Sequence, residues 1–136
     1  MMKKSLLLAM MALFTLAACS GSDDANVEKE EVLYEIKDGR FTEWYPGKKH
    51  VKFEGDVDVK GNREGKWVFY SDQGHVLSFT FYEHGKKEGY SVVKHPNGRL
   101  HYHGEYHNDK MVGVWTTYDA KGKLTKEKDY GYPESE

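Results

Sequence analysis

His101, His103 and Glu105 alternate along Leu100-His-Tyr-His-Gly-Glu-Tyr106, and on an extended strand side chains two residues apart point to one side. Two neutral imidazoles and a carboxylate are a zinc-ligand set, and with an open position they would support hydrolysis by a metal-activated water. The competing reading is a solvated strand face, shared with His107, whose charge varies with pH. The second reading is adopted: no neighbouring group is identifiable that would orient the two rings, and no metal, cofactor or catalytic residue is expected. Phosphate-cradling glycine loops, HExxH and GxSxG are absent from the sequence. The single cysteine, Cys19, has no partner for an internal disulfide.

Such residues need elements to hold them, and these are legible as a repeat. Gly65-Lys-Trp-Val-Phe-Tyr-Ser-Asp-Gln-Gly74, Gly89-Tyr-Ser-Val-Val-Lys-His-Pro-Asn-Gly98 and Gly113-Val-Trp-Thr-Thr-Tyr-Asp-Ala-Lys-Gly122 start 24 residues apart. Val76, Leu100 and Leu124 form one further column, and Tyr82, Tyr106 and Tyr130 another. A looser copy begins at Val51, and its extra residue after Val57 suggests a bulge. Each unit reads as two strands of about six to eight residues joined by glycine turns, hence an antiparallel meander. Asp72-Gln73-Gly74 and Pro96-Asn97-Gly98 suit three-residue loops ending in a left-handed glycine. On that register Tyr70 faces Val76, Phe69 faces Leu77 and Trp67 faces Phe79.

The pattern Gly-x-Trp-x-x-Tyr-x-x-x-Gly, followed by a Tyr-x-x-Gly-Lys-x-x-Gly turn, resembles the MORN repeat in the variant found in bacterial tandem-repeat proteins, including antitoxin-like ones. The resemblance covers about residues 41 to 130 and implies an all-β, elongated, twisted sheet of β-hairpins acting as a binding scaffold. Ser91 at the tryptophan position and Lys94 at the tyrosine position depart from the pattern and leave the packing of that unit open.

Alternation along the strands predicts one face that is apolar throughout, from Val51, Phe53 and Val57 through Val68, Tyr70, Val76 and Tyr82 to Tyr118, Leu124 and Tyr130. The other face varies from unit to unit and turns apolar only at Leu77, Phe79 and Phe81, beside Trp67, Phe69 and Val93. Left bare, that cluster would exceed what soluble monomers usually expose. Two covers are open: Val32-Leu33-Tyr34-Glu35-Ile36 with Phe41 and Trp44 folding over it as an extra strand or flap, or a partner or second copy. The candidate binding patch is therefore Trp67, Phe69, Leu77, Phe79 and Phe81.

The 136 residues fit one domain, and 20 Lys+Arg against 22 Asp+Glu give a charge of −2, so nucleic acid is not the expected partner. With aromatics at 14% and 14 glycines, the composition favours many short strands over long helices. Lys3 and Lys4 precede an apolar run from Leu6 to Leu16, the pattern of a signal peptide. The uncharged stretch Ser5–Ala18 is 14 residues, against roughly 20 needed to span a bilayer.

Leu16-Ala17-Ala18-Cys19 resembles the lipobox of bacterial lipoproteins. That resemblance implies cleavage before Cys19 and acylation of its thiol, and with Ser20 rather than Asp next, export to the outer membrane of a Gram-negative host. Residues 1–18 are then the signal peptide, 19–31 a polar, acidic tether and 32–132 the repeat domain. Loss of Lys3 and Lys4 leaves 18 basic against 22 acidic residues, a charge of −4. The expected protein is a membrane-anchored, non-catalytic module that binds a protein partner of unidentified kind. Two alternatives stand beside it: an immunity or antitoxin-like protein that neutralises a toxin, and a small metal-dependent hydrolase.

Overall fold

Chain reversal at short, regular intervals dictates the architecture. In the computed structural model, which describes residues 31–134, nine strands follow one another: β1 (Tyr34–Lys37), β2 (Arg40–Trp44), β3 (Val51–Val57), β4 (Arg63–Tyr70), β5 (Val76–Glu83), β6 (Lys86–Lys94), β7 (Leu100–His107), β8 (Lys110–Tyr118) and β9 (Leu124–Asp129). They lie in one open antiparallel sheet in the order of the sequence, as the repeat predicts. Among the described residues there is no helix, and none is long and apolar enough to cross a membrane. The expected signal peptide, Cys19 and the expected tether up to Glu30 lie outside the described residues.

Turn chemistry differs at the two ends of the sheet. Asp38-Gly39, His84-Gly85 and Asn108-Asp109 all have positive φ, the conformation that a two-residue hairpin turn requires at both positions. At the other end the loops close from Ser71 to His75, His95 to Arg99 and Asp119 to Lys123, and Gly74, Gly98 and Gly122 sit at φ 83–89°. The expected left-handed glycines are thus in place. The extra residue of the first copy is accommodated in the longer turn Asp58–Asn62, closed by the Asp58 N–H donating to Asn62 O at 2.9 Å.

The register departs from the expected one by a single residue. Tyr70 pairs with Val76 as read, but Phe69 pairs with Ser78 and Trp67 with Thr80. Leu77 is bulged out between them and pairs with nothing. The bulge recurs at Lys52, His101 and Thr125, so it belongs to the repeat. One unpaired residue exchanges the faces of all that follows, and two expectations fail for that reason. The continuous apolar stripe is divided, with Phe53, Tyr82, Tyr102 and Tyr106 on one face and Val68, Tyr70 and Val92 on the other. The patch is divided too, with Trp67 and Phe69 on the first face and Phe79 and Phe81 on the second.

With one layer there is no enclosed interior among the described residues, where Trp67, Val112 and Trp115 are the only buried hydrophobic side chains. Each tryptophan gains its burial by lying flat over a glycine of the neighbouring strand. A Cβ on Gly55 would overlap the Trp67 ring, and one on Gly104 the Trp115 ring. The indole N–H groups donate to Asp56 O at 2.9 Å and Glu105 O at 3.1 Å, so burial leaves neither unsatisfied. In the middle unit the pair changes in concert. Ser91 takes the tryptophan position, Thr80 the glycine position, and their hydroxyls bond at 2.7 Å.

Candidate functional site

Following the register across the sheet separates two chemically opposite faces. On the first, Phe41 lies between Tyr34 and Phe53, and Trp67 packs beside Phe41, Phe53 and Tyr82. Phe69 continues the row at 5.2 Å from Phe53, and Tyr102 and Tyr106 flank Trp115 farther along. Cations sit over these rings: the Arg63 guanidinium at 4.5 Å from Trp67, Lys87 at 4.7 Å from Tyr106 and Lys128 at 4.4 Å from Tyr130. Tyr102, Tyr106, Met111, Trp115, Thr117, Lys126, Lys128 and Tyr130 line an open hollow of about 280 Å³. Among the described residues no ion pair involves Arg63, Lys87, Lys126 or Lys128, and the acid of this face, Glu43, is matched by Lys52 at 2.8 Å.

The second face carries the carboxylates. Glu54, Asp56, Glu64, Glu105, Glu127 and Asp129 all stand on it by register. Arg40 bridges Glu54 at 3.2 Å and Asp56 at 2.9 Å. Burial and the hydrogen bond donated to Glu54 raise the Tyr70 hydroxyl above its ordinary pKa. Phe79 and Phe81 meet edge to face here, with the Lys66 ammonium 4.3 Å from the Phe79 ring. They remain apart from Trp67 and Phe69 on the aromatic face.

The N-terminal segment does not fold over either cluster. β1 and β2 lengthen the sheet at its edge, and Phe41 joins the aromatic row side by side with Phe53 and Trp67. Both faces of the sheet are left without a second layer among the described residues.

The three histidine-strand residues are engaged separately. The His101 ring lies 4.2 Å from that of His95, His103 stacks on Tyr118, and Glu105 accepts a hydrogen bond from the Tyr132 hydroxyl at 2.9 Å. A different trio, Asp58, Glu64 and His84, brings its ligand atoms within 4.8 Å of one another. Its geometry is explained by the turn. Asp58 accepts from the Asn62 side chain at 3.0 Å and from the backbone N–H groups of Asn62 and Lys60 at 2.9 Å. These bonds, led by Asn62, hold its carboxyl down from 3.8 to about 2.

A folded-state pKa below the unfolded one means that protonation favours unfolding. The Asp58 contribution is therefore complete above about pH 4 and lost as the pH falls towards 2. Acid unfolding of Asp58→Ala should lack this component, and equal pH dependence in both proteins would show that the turn bonds do not form.

A one-layer repeat sheet with an uncovered aromatic face is the class of architecture that these observations define. The chain matches no protein-family model and no curated protein sequence. Sequence reasoning set Trp67 and Phe69 beside Leu77, Phe79 and Phe81, whereas the structure sets them on one face with Arg63, Tyr102, Tyr106 and Lys128. The unpaired residue next to each loop sets that arrangement, and its types, Lys52, Leu77, His101 and Thr125, give no sequence signal for it.

Proposed function

We propose that the protein is a lipid-anchored envelope lipoprotein whose MORN-like sheet is a non-catalytic binding module for another protein. The observation that carries the reading is the aromatic face without a second layer, where half-buried Phe41, Phe53, Phe69, Tyr102 and Tyr106 stand around the buried Trp67 and Trp115, residue types that dominate protein-interface energetics. Among the described residues the single layer forms only open hollows, with no deep cleft in which to exclude water around a reacting group, which favours binding over catalysis. The anchoring rests on Leu16-Ala17-Ala18-Cys19 and the basic and apolar run before it. An acyl chain contributes about 0.8 kcal/mol per buried methylene, so two or more chains hold the protein firmly. In a Gram-negative host, Ser20 after the cysteine directs the mature protein to the outer membrane.

Membrane fractionation of the wild type and Cys19→Ala tests the reading. The wild type should sediment with membranes and, after detergent extraction, retain a polypeptide in stoichiometric amount; Cys19→Ala should be unprocessed or released. A Cys19→Ala protein that is still processed and membrane-bound would contradict the anchor, and extraction without any bound polypeptide would contradict the binding role.

A further inference from the structure

We infer that the aromatic face takes an acidic polypeptide segment, one that carries carboxylates interspersed with large apolar side chains. The inference rests on the protein-binding reading and adds the chemistry of the partner. Carboxylates are sorted by face across one thin layer: Arg63, Lys87, Lys126 and Lys128 stand on the aromatic side without carboxylate partners among the described residues, whereas Glu54, Asp56, Glu64, Glu105, Glu127 and Asp129 line the reverse, interspersed there with Arg40, Lys66, Lys86, Lys94 and Lys110. On a chain with net negative charge, a face whose cations far outnumber its one strand carboxylate is complementary to an anion.

The way the rings stand decides which anion. Phe41 is stacked at 8° against both Tyr34 and Phe53, with centroids 5.8 and 5.5 Å away. The faces of Trp67, Tyr106 and Tyr130 each carry a cation. Bases and sugar rings bind by stacking on open aromatic faces, and these faces are taken. Phe41, stacked on both sides, is left with its ring edge, the electropositive part of the aromatic quadrupole, which suits carboxylate oxygen. The hollow of about 280 Å³ between Tyr102 and Tyr130 has room for a large apolar side chain and favours a polypeptide over a smooth bilayer surface. Arg63 on β4, Lys87 on β6 and Lys128 on β9 are about 10 and 14 Å apart at the usual strand spacing of about 4.8 Å. An extended peptide crossing the strands would meet them every three to four residues, at roughly 3.3 Å per residue.

Fluorescence anisotropy on the full chain in detergent tests this with two labelled peptides of equal length, one of Glu and Leu and one of Lys and Leu, alongside oligo-dT and phosphatidylglycerol vesicles. The Glu-Leu peptide should bind and be released by salt. The double variant Lys126→Glu/Lys128→Glu, at exposed positions of the last strand, should weaken that binding about tenfold or more. Glu127→Lys, on the opposite face of the same strand, should not weaken it. Melting temperatures of both variants guard against loss of folding, and Lys126→Gln/Lys128→Gln should show an intermediate loss. Binding of the Lys-Leu peptide alone would overturn the acidic partner while leaving the protein-binding role. Binding confined to oligo-dT or vesicles would overturn both, and Glu-Leu binding indifferent to the charge reversal would remove it from this face.

Discussion

Gly104→Ala is expected to destabilise the protein by about 3 kcal/mol, the upper part of the range for forcing extra atoms into a packed site. The added methyl would occupy the space of the Trp115 ring, and the obstacle is an indole pinned by its own hydrogen bond to Glu105 O. To make room the ring must lift from the sheet and expose one of the few buried hydrophobic side chains. Against about 5–15 kcal/mol for a whole domain this is a large fraction, and for a domain near 100 residues it lowers Tm by roughly 12–24 °C. The middle unit supplies the reciprocal test. Ser91→Trp alone should be destabilising because Thr80 fills the place where Gly55 and Gly104 admit a ring. Ser91→Trp together with Thr80→Gly should recover most of the loss, giving a favourable coupling of about 1 kcal/mol or more in the double-mutant cycle. A Gly104→Ala protein that melts within a degree or two of the wild type would contradict ring-over-glycine packing.

Trp67→Ala should cost about 3–5 kcal/mol, the usual range for removing a large buried aromatic. Its ring is 2% exposed and touches Phe41, Phe53, Tyr82 and the Arg63 guanidinium, so truncation opens a gap at the centre of the aromatic row. Phe79→Ala, with the same chemistry on the other face, should cost only about 1–2 kcal/mol, because a half-buried ring gives up correspondingly less burial. Among the described residues Phe79 has only Phe81 as an aromatic neighbour, with the flexible Lys66 above it, and Phe81 is 37% exposed. Urea denaturation of the two variants measures both losses. Equal losses would mean that the two faces share the burden of stability, contrary to the division that the register makes.

That division is where sequence and structure part. The 24-residue interval carries the turns openly, because left-handed glycines such as Gly74 and Gly98 have few substitutes, and from the turns come the strand count and the meander. The bulge at Leu77 has no such signature: its residue types at equivalent positions are Lys52, Leu77, His101 and Thr125, which share neither size nor polarity. A feature made by backbone hydrogen bonding, with no side-chain requirement, leaves no column to read. Missing it exchanged the partners of Phe69 and Trp67 and joined residues of opposite faces into one patch. The glycine–tryptophan packing was, by contrast, available. Setting Gly55, Thr80 and Gly104 beside Trp67, Ser91 and Trp115 shows a large ring wherever the neighbour is glycine and a small side chain where it is not. The departure at Ser91 is thus a second solution to the same packing problem.

The most direct test of a binding role for the aromatic face uses the alternation of β8. A photo-crosslinking amino acid at Thr117 lies on the aromatic face opposite Tyr102 and Lys126, and one at Val114 lies on the acidic face opposite Asp129. Irradiation in the membrane, with the full chain at its native level, should give a discrete crosslinked protein from position 117 and none from position 114. A crosslinked protein from position 114 with none from 117 would contradict the assignment of binding to the aromatic face.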